Sequence, residues 1–153
     1  MRTRLLAALA LALLGAVLFA GSDMAAGGSD ASSATLTVRS SQYGRIVFDG
    51  SNRALYAFTR DRRGKPSTCY GACAVAWPPY IVSGKLTAGS GTKRSLFGTT
   101  RRRDGKRQLT YRGWPLYYYV HDPVGQVLCQ NVREFGGLWL VVRPSGQLVR
   151  LPR

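Results

Sequence analysis

The sequence is poor in the residues that most metal and catalytic sites require. Its 153 residues include one histidine, three cysteines, two methionines and seven acidic residues. A single His and a Cys-x3-Cys spacing do not make a zinc knuckle, which needs four closely spaced ligands. Phosphate-binding loops, dinucleotide fingerprints, metalloprotease helices and nucleophile elbows are also missing. We therefore expect no catalytic residue, no metal and no cofactor, and a protein that binds rather than catalyses.

Long apolar runs are absent except for one at the N-terminus. A basic start precedes Leu5–Ala20, which carries no charge, and small residues follow it. This layout is typical of a secretory signal peptide, here residues 1–22, with cleavage after residue 22 or as late as residue 34. The alternative is an uncleaved N-terminal anchor. The segment predicts a secreted, extracytoplasmic or cell-envelope location.

The remaining chain predicts one small all-β domain. Residues 23–35 are rich in Gly, Ser and Ala and are expected to form a linker. Residues 36–153 are too few for two ordinary domains. Short alternating segments separated by turn residues such as Asp104-Gly105 indicate antiparallel hairpins. The predicted strands are residues 36–40, 44–48, 95–102, 106–111, 138–143 and 147–151, and residues 69–75 could add a single helical turn.

The pattern Leu-Tyr-x-aromatic-x-x-Asp-x-x-Gly occurs twice, 61 positions apart, and each copy is followed by a Cys-containing loop and a Trp. We interpret the copies as two repeats of one hairpin-based unit, at about residues 44–82 and 95–143. The signature residues are Tyr56, Phe58, Asp61 and Trp77 in the first repeat and Tyr117, Tyr119, Asp122 and Trp139 in the second. Alternation along a strand would place the aromatic residues on one face and the Leu on the other.

The two signature aspartates have two interpretations. Asp commonly begins a turn by bonding nearby backbone N–H groups, and the Gly three residues later suits such a turn. Alternatively, Asp61 and Asp122 would be paired general acids or ligands if the repeats faced each other across a cleft.

Basic residues are in large excess, with 22 Lys and Arg against 7 Asp and Glu and a formal charge of +15. They cluster in two predicted turns, so we expect them to be exposed. The anion-binding candidates are Arg62, Arg63, Lys65, Arg101, Arg102, Arg103, Lys106 and Arg107. For an exported protein, the expected partners are anionic cell-wall polymers or lipid head groups rather than a specific nucleic acid. A purely solubilising surface is the alternative.

Cys69, Cys73 and Cys129 leave at least one thiol unpaired within the chain. A Cys69–Cys73 bridge would close a small ring and contribute about 2 kcal/mol, whereas a bridge to Cys129 would tie the repeats together and contribute roughly 4–5 kcal/mol. A redox-active pair or a copper(I) site built from the three thiolates would instead make this an extracytoplasmic redox or copper-handling protein.

These motifs resemble those of the secreted-repeat proteins of unknown function, a family of predicted bacterial lipoproteins with a Tyr-x-aromatic-x-x-Asp motif. The matching segments are Leu55–Asp61, Cys69–Ala74, Trp77–Pro79, Leu96–Arg101, Asp104-Gly105, Gln108–Tyr111, Pro115–Tyr119 and Gly136–Trp139. The resemblance covers nearly all of the chain after Gly44.

The resemblance implies an exported, envelope-associated β domain of two repeats and no established activity. It also implies that Cys69 and Cys73 pair with each other, since that pair occurs without a third cysteine. The chain departs from the family in two respects. It has no lipid-acceptor Cys after the apolar run, which puts anchoring by lipid in question, and Cys129 stands where many relatives have a Gly-rich loop.

Overall fold

A computed structural model describes residues 33–150 of the chain, so the predicted signal peptide and most of the predicted linker lie outside the described residues. The described part is built from nine short strands, one helical turn and one 3₁₀ turn. The strands are β1 (Ala34–Ser41), β2 (Gly44–Asp49), β3 (Tyr56–Phe58), β4 (Leu86–Ala88), β5 (Phe97–Arg101), β6 (Arg107–Tyr111), β7 (Trp114–Pro115), β8 (Val132–Glu134) and β9 (Gly137–Val141). The helical turn α1 is Ala72–Ala76, and the 3₁₀ turn is Arg94–Leu96.

The strands form three sheets, with the orders β2-β1-β4, β3-β9-β8 and β5-β6-β7. Every pair is antiparallel except β1 with β4, which is parallel. The all-β prediction is therefore confirmed. The predicted β5-β6 hairpin is present, and Gly105 takes the positive φ of 79° that its turn requires. The hairpin predicted between residues 44–48 and the first signature strand is reduced to one bridge, Phe48 with Ala54, and β2 pairs with β1 instead.

Several predicted boundaries differ from the structure. β1 begins at Ala34, inside the predicted linker. The second signature segment is not a continuous strand, because only Tyr117 forms bridges, with Tyr56 and Pro79. The predicted strand at 147–151 is reduced, within the described residues, to one bridge between Val142 and Leu148. Local alternation does not reveal how many residues of a segment find a pairing partner in the fold.

The two repeats are interleaved rather than side by side. β3, which carries the first signature, pairs with β9, which contains Trp139 of the second repeat. The second signature segment pairs in turn with the residues after Trp77: Tyr118 N donates to Pro78 O at 2.9 Å. The signature segments meet at Tyr56 and Tyr117, whose backbones exchange two hydrogen bonds of 2.9 Å. Each repeat therefore completes the other.

The core consists of two clusters on opposite sides of the signature segments. Tyr56 and Phe58 lie in one cluster with Tyr117 and both signature tryptophans. Leu55 and Ala57 lie in the other with Leu116. This division confirms the alternation that the sequence predicts, and it places the aromatic residues of both repeats in one cluster.

Candidate functional site

Four signature rings form a continuous stack at the junction of the repeats. Phe58 stacks on Trp139 with ring centroids 4.2 Å apart, and Trp139 stacks on Trp77 at 4.0 Å. Tyr119 covers the other face of Trp77 at 4.7 Å. Each Trp is thus covered by the aromatic residue of the other repeat. The backbone at Gly137 runs close over this stack, where an added Cβ would lie 2.6 Å from the Phe58 ring.

The signature tyrosines and aspartates exchange hydrogen bonds between the repeats. Tyr56 Oη donates to Asp122 Oδ2 at 2.6 Å, and Tyr117 Oη donates to Asp61 Oδ2 at 2.6 Å. The first Tyr of each signature, Tyr56 or Tyr117, therefore satisfies the Asp of the other copy. Hydrogen bonds to a carboxylate are short and strong when the surroundings exclude water, and Asp61 is only 3% exposed.

The second carboxylate oxygen of each Asp organises the loop that follows it. Asp61 Oδ1 accepts bonds of 2.7 Å from both the backbone N and the Oγ1 of Thr68. Asp122 Oδ1 accepts a 3.0 Å bond from Leu128 N. The turn interpretation was thus incomplete, because the carboxylates order whole loops as well as the tight turns at Asp61 and Asp122. Donors therefore occupy both oxygens of each carboxylate.

Burial dominates the electrostatics of these pairs. It raises the pKa of Asp61 and of Asp122, and the hydrogen bonds from Tyr117 and Tyr56 offset part of each rise. Burial also raises the pKa of Tyr56 and Tyr117, and the neighbouring carboxylates raise it further. The tyrosines therefore stay protonated and remain hydrogen-bond donors over the physiological pH range.

The three cysteines serve different roles. Cys69 and Cys73 form a disulfide whose Cα atoms are 5.3 Å apart, and α1 begins between them at Ala72. Cys129 is free and partly buried. Burial raises the pKa of its thiol, so little thiolate forms at neutral pH. Within residues 33–150, no three His, Cys, Asp or Glu side chains are placed to hold a metal ion.

Arg102 corrects the prediction that all eight basic candidates are exposed. Its side chain is buried, with 4% of the residue exposed. Nη1 donates to Ser67 Oγ and Gln108 Oε1 at 2.8 Å, and Nη2 donates to Cys69 O at 2.9 Å. Arg102 therefore attaches the β5-β6 hairpin to the disulfide loop. The sequence did carry a signal for this burial: side chains alternate in direction past the end of β5, so the middle residue of Arg101-Arg102-Arg103 points inward.

The other seven candidates are exposed and form what we call the basic face: Arg62, Arg63, Lys65, Arg101, Arg103, Lys106 and Arg107. Tyr70 contacts the β5-β6 part of this set. Its hydroxyl accepts a 2.9 Å bond from Arg103 N, and its ring lies 4.0 Å from the Arg103 guanidinium and 4.3 Å from that of Arg102. The tip of the β5-β6 hairpin is thus held against the disulfide loop by the Tyr70 side chain, which the sequence did not predict.

The family model for a secreted repeat of unknown function matches residues 37–80 and 98–143. The two matches correspond to the interleaved repeats and together cover more than half of the chain. The chain belongs to this secreted-repeat family. Family membership gives a secreted β protein and assigns no ligand or activity.

Two other comparisons identified no relative of this secreted-repeat protein. A search of curated proteins and a search of solved structures each found no match. Within residues 33–150, no helix is long and apolar enough to span a membrane.

Proposed function

We propose that this secreted-repeat protein is a cell-envelope binding module that engages anionic polymers or lipid head groups through its basic face. The observation that carries the proposal is the concentration of seven exposed Lys and Arg side chains on two turns, one of which Tyr70 and Arg102 fix to the disulfide loop. Seven exposed cations lie on these two turns, and the only acidic residue on them that is not buried is Asp104. A field of one sign attracts polyanions and weakens with added salt.

The fold fixes the β5-β6 part of this face. Arg102 and Tyr70 hold the β5-β6 turn against the loop after Asp61, and Asp61 itself is fixed by Tyr117. Cations on a rigid frame lose less conformational entropy on binding than cations on a mobile tail. The interleaved aromatic core therefore acts as the support for the surface rather than as the binding site.

Co-sedimentation with isolated cell envelopes over a range of salt concentrations tests this proposal. The basic-face variant replaces Arg101, Arg103 and Lys106 by Gln and leaves the buried Arg102 intact. We expect retention that falls with salt in the unaltered protein and is largely lost in the variant at moderate salt.

The matched control removes the same charge from elsewhere on the surface. Arg39, Arg45 and Arg133 are exposed and lie outside the basic face, so Arg39→Gln/Arg45→Gln/Arg133→Gln should retain most of the binding. Equal losses in both variants would show that overall charge, not this face, drives retention. Retention that does not respond to salt would contradict the proposal outright.

A further inference from the structure

A second basic feature shares Arg63 with the basic face and adds residues outside the predicted sites. Two neighbouring cavities of about 370 and 510 Å³ share Arg63 and Arg112 in their walls. The first also contains Trp114, Leu148 and Arg150, and we call it the arginine cleft. No Asp or Glu is among the residues that line either cavity. Three guanidinium groups therefore surround one concave site without a neutralising carboxylate in its wall.

Two of these guanidinium groups are fixed by the backbone. Arg63 Nε donates to Arg112 O at 2.9 Å, which leaves its terminal nitrogens for other acceptors. Arg112 Nη1 donates to Ser145 O at 3.0 Å. A guanidinium held by one nitrogen can still offer its remaining N–H groups to a carboxylate, sulfate or phosphate. Because the side chains are already ordered, an anion that binds here costs little additional entropy.

The cleft also has an apolar, aromatic wall. Trp114 and Leu148 are both partly exposed, line the cleft and pack against the second core cluster. Trp77 and Trp139 are 0% exposed in the aromatic stack. Trp114 is therefore the one tryptophan whose ring a bound molecule can reach. A flat ring beside fixed cations suits a molecule that carries both an apolar face and negative charges.

We infer that the arginine cleft binds a segment of an anionic polysaccharide, with guanidinium groups on its charged substituents and Trp114 against a sugar ring. This inference rests on the proposed function and names its ligand class. A glycan chain enters a concave site more readily than the flat surface of a bilayer does. The adjoining cavity continues past Arg63 towards Phe97, which provides room for a further sugar unit.

Binding of dextran sulfate, followed by tryptophan fluorescence, tests the inference, with uncharged dextran of equal length as the reference. We expect saturable binding of the charged polymer and a change in emission that Trp114→Phe abolishes. Because Trp77 and Trp139 are inaccessible, a signal that persists in Trp114→Phe would overturn the inference. Equal binding of uncharged dextran would also overturn it.

Variants that remove charge inside or outside the cleft distinguish binding at the cleft from general electrostatic attraction to the protein. Arg63→Gln/Arg150→Gln should weaken binding about tenfold or more, since each guanidinium makes charge-assisted bonds. Arg39→Gln/Arg133→Gln removes the same charge outside the cleft and should weaken it only a few-fold. Arg150→Gln alone removes no internal hydrogen bond that the structure shows, so it should not disturb folding. It should still weaken binding more than Arg133→Gln does. Similar effects in both double variants would refute the cleft.

Two further probes decide the ligand class and keep the two proposals apart. Tighter binding of single-stranded DNA or of phosphatidylglycerol vesicles, with the same Trp114 signal, would replace the polysaccharide as the ligand. If the basic-face variant loses envelope retention while the cleft variants keep dextran sulfate binding unchanged, the cleft inference fails and the proposed function stands. If the cleft binds dextran sulfate but envelope retention changes neither with salt concentration nor in the basic-face variant, the proposed function fails instead.

Discussion

Tyr117→Phe is the most direct test of how the repeats hold each other. The Tyr117 hydroxyl lies 2.6 Å from Asp61 Oδ2 and 2.6 Å from Ser67 Oγ. Its single proton goes to the carboxylate, so it accepts from Ser67. Ser67 in turn accepts from Arg102. Removing the hydroxyl interrupts this chain in its middle and leaves one oxygen of a buried carboxylate without its donor.

The expected loss of stability is large for one oxygen atom. A hydrogen bond to a charged group contributes about 1.5–3 kcal/mol, and the cost is highest when the abandoned partner is buried. We expect Tyr117→Phe to lower the free energy of unfolding by about 2–3 kcal/mol, and the melting temperature by on the order of 10 °C. Tyr56→Phe should cost only about 1 kcal/mol, because its partner Asp122 is partly exposed.

The pH dependence of the loss has a definite sign. Burial raises the pKa of Asp61 above its ordinary value of about 3.9, so the folded protein holds the proton more tightly than the unfolded chain. The contribution of Asp61 to the free energy of unfolding therefore rises as pH falls from the pKa in the folded protein to the pKa in the unfolded chain. Tyr117→Phe raises the pKa further. Its cost is thus greatest above the folded pKa and shrinks as Asp61 becomes protonated.

Urea unfolding from neutral to acid pH measures both effects, with the slope of the transition as a check that the unfolded state is unchanged. A double-mutant cycle with Asp61→Asn isolates the coupling between the two side chains. A cost below about 0.5 kcal/mol, the level of an ordinary surface substitution, would refute the reasoning. A cost that stays the same at all pH values would show that the carboxylate is not the partner that matters.

Three further predictions follow from the other contacts. Arg102→Met should destabilise the fold by about 3 kcal/mol, because it leaves several buried acceptors unpaired. The control is Arg103→Met at an exposed neighbouring position, which should change the free energy of unfolding by less than about 0.5 kcal/mol in the same urea experiment. Similar values for the two variants would show that Arg102 is not a structural residue. Replacing Cys69 and Cys73 together by Ala should cost about 2 kcal/mol, and a reductant should lower the melting temperature of the unaltered protein but not that of the variant. The thiol of Cys129 should react slowly with iodoacetamide at neutral pH and faster as pH rises. Rapid labelling at neutral pH would contradict this expectation and support the redox hypothesis.

The sequence alone predicted several features that depend on neighbouring residues. Alternation along Tyr56–Phe58 predicted which side chains share a face, and Asp104-Gly105 predicted the β5-β6 turn. The 61-residue spacing revealed the repeats, which the family model also matches. These signals are local or periodic, so they can be read without knowing which distant segments meet.

Only the tertiary structure decided how the repeats combine. Tyr56 bonds Asp122 rather than Asp61 of its own copy, and the Cys69–Cys73 pair follows from a backbone turn that spacing alone left open. Arg102 is buried although its neighbours are exposed, because Ser67 and Gln108 supply acceptors that only folding brings near it. Burial and partner choice depend on contacts between segments far apart in the chain, and no local pattern records them.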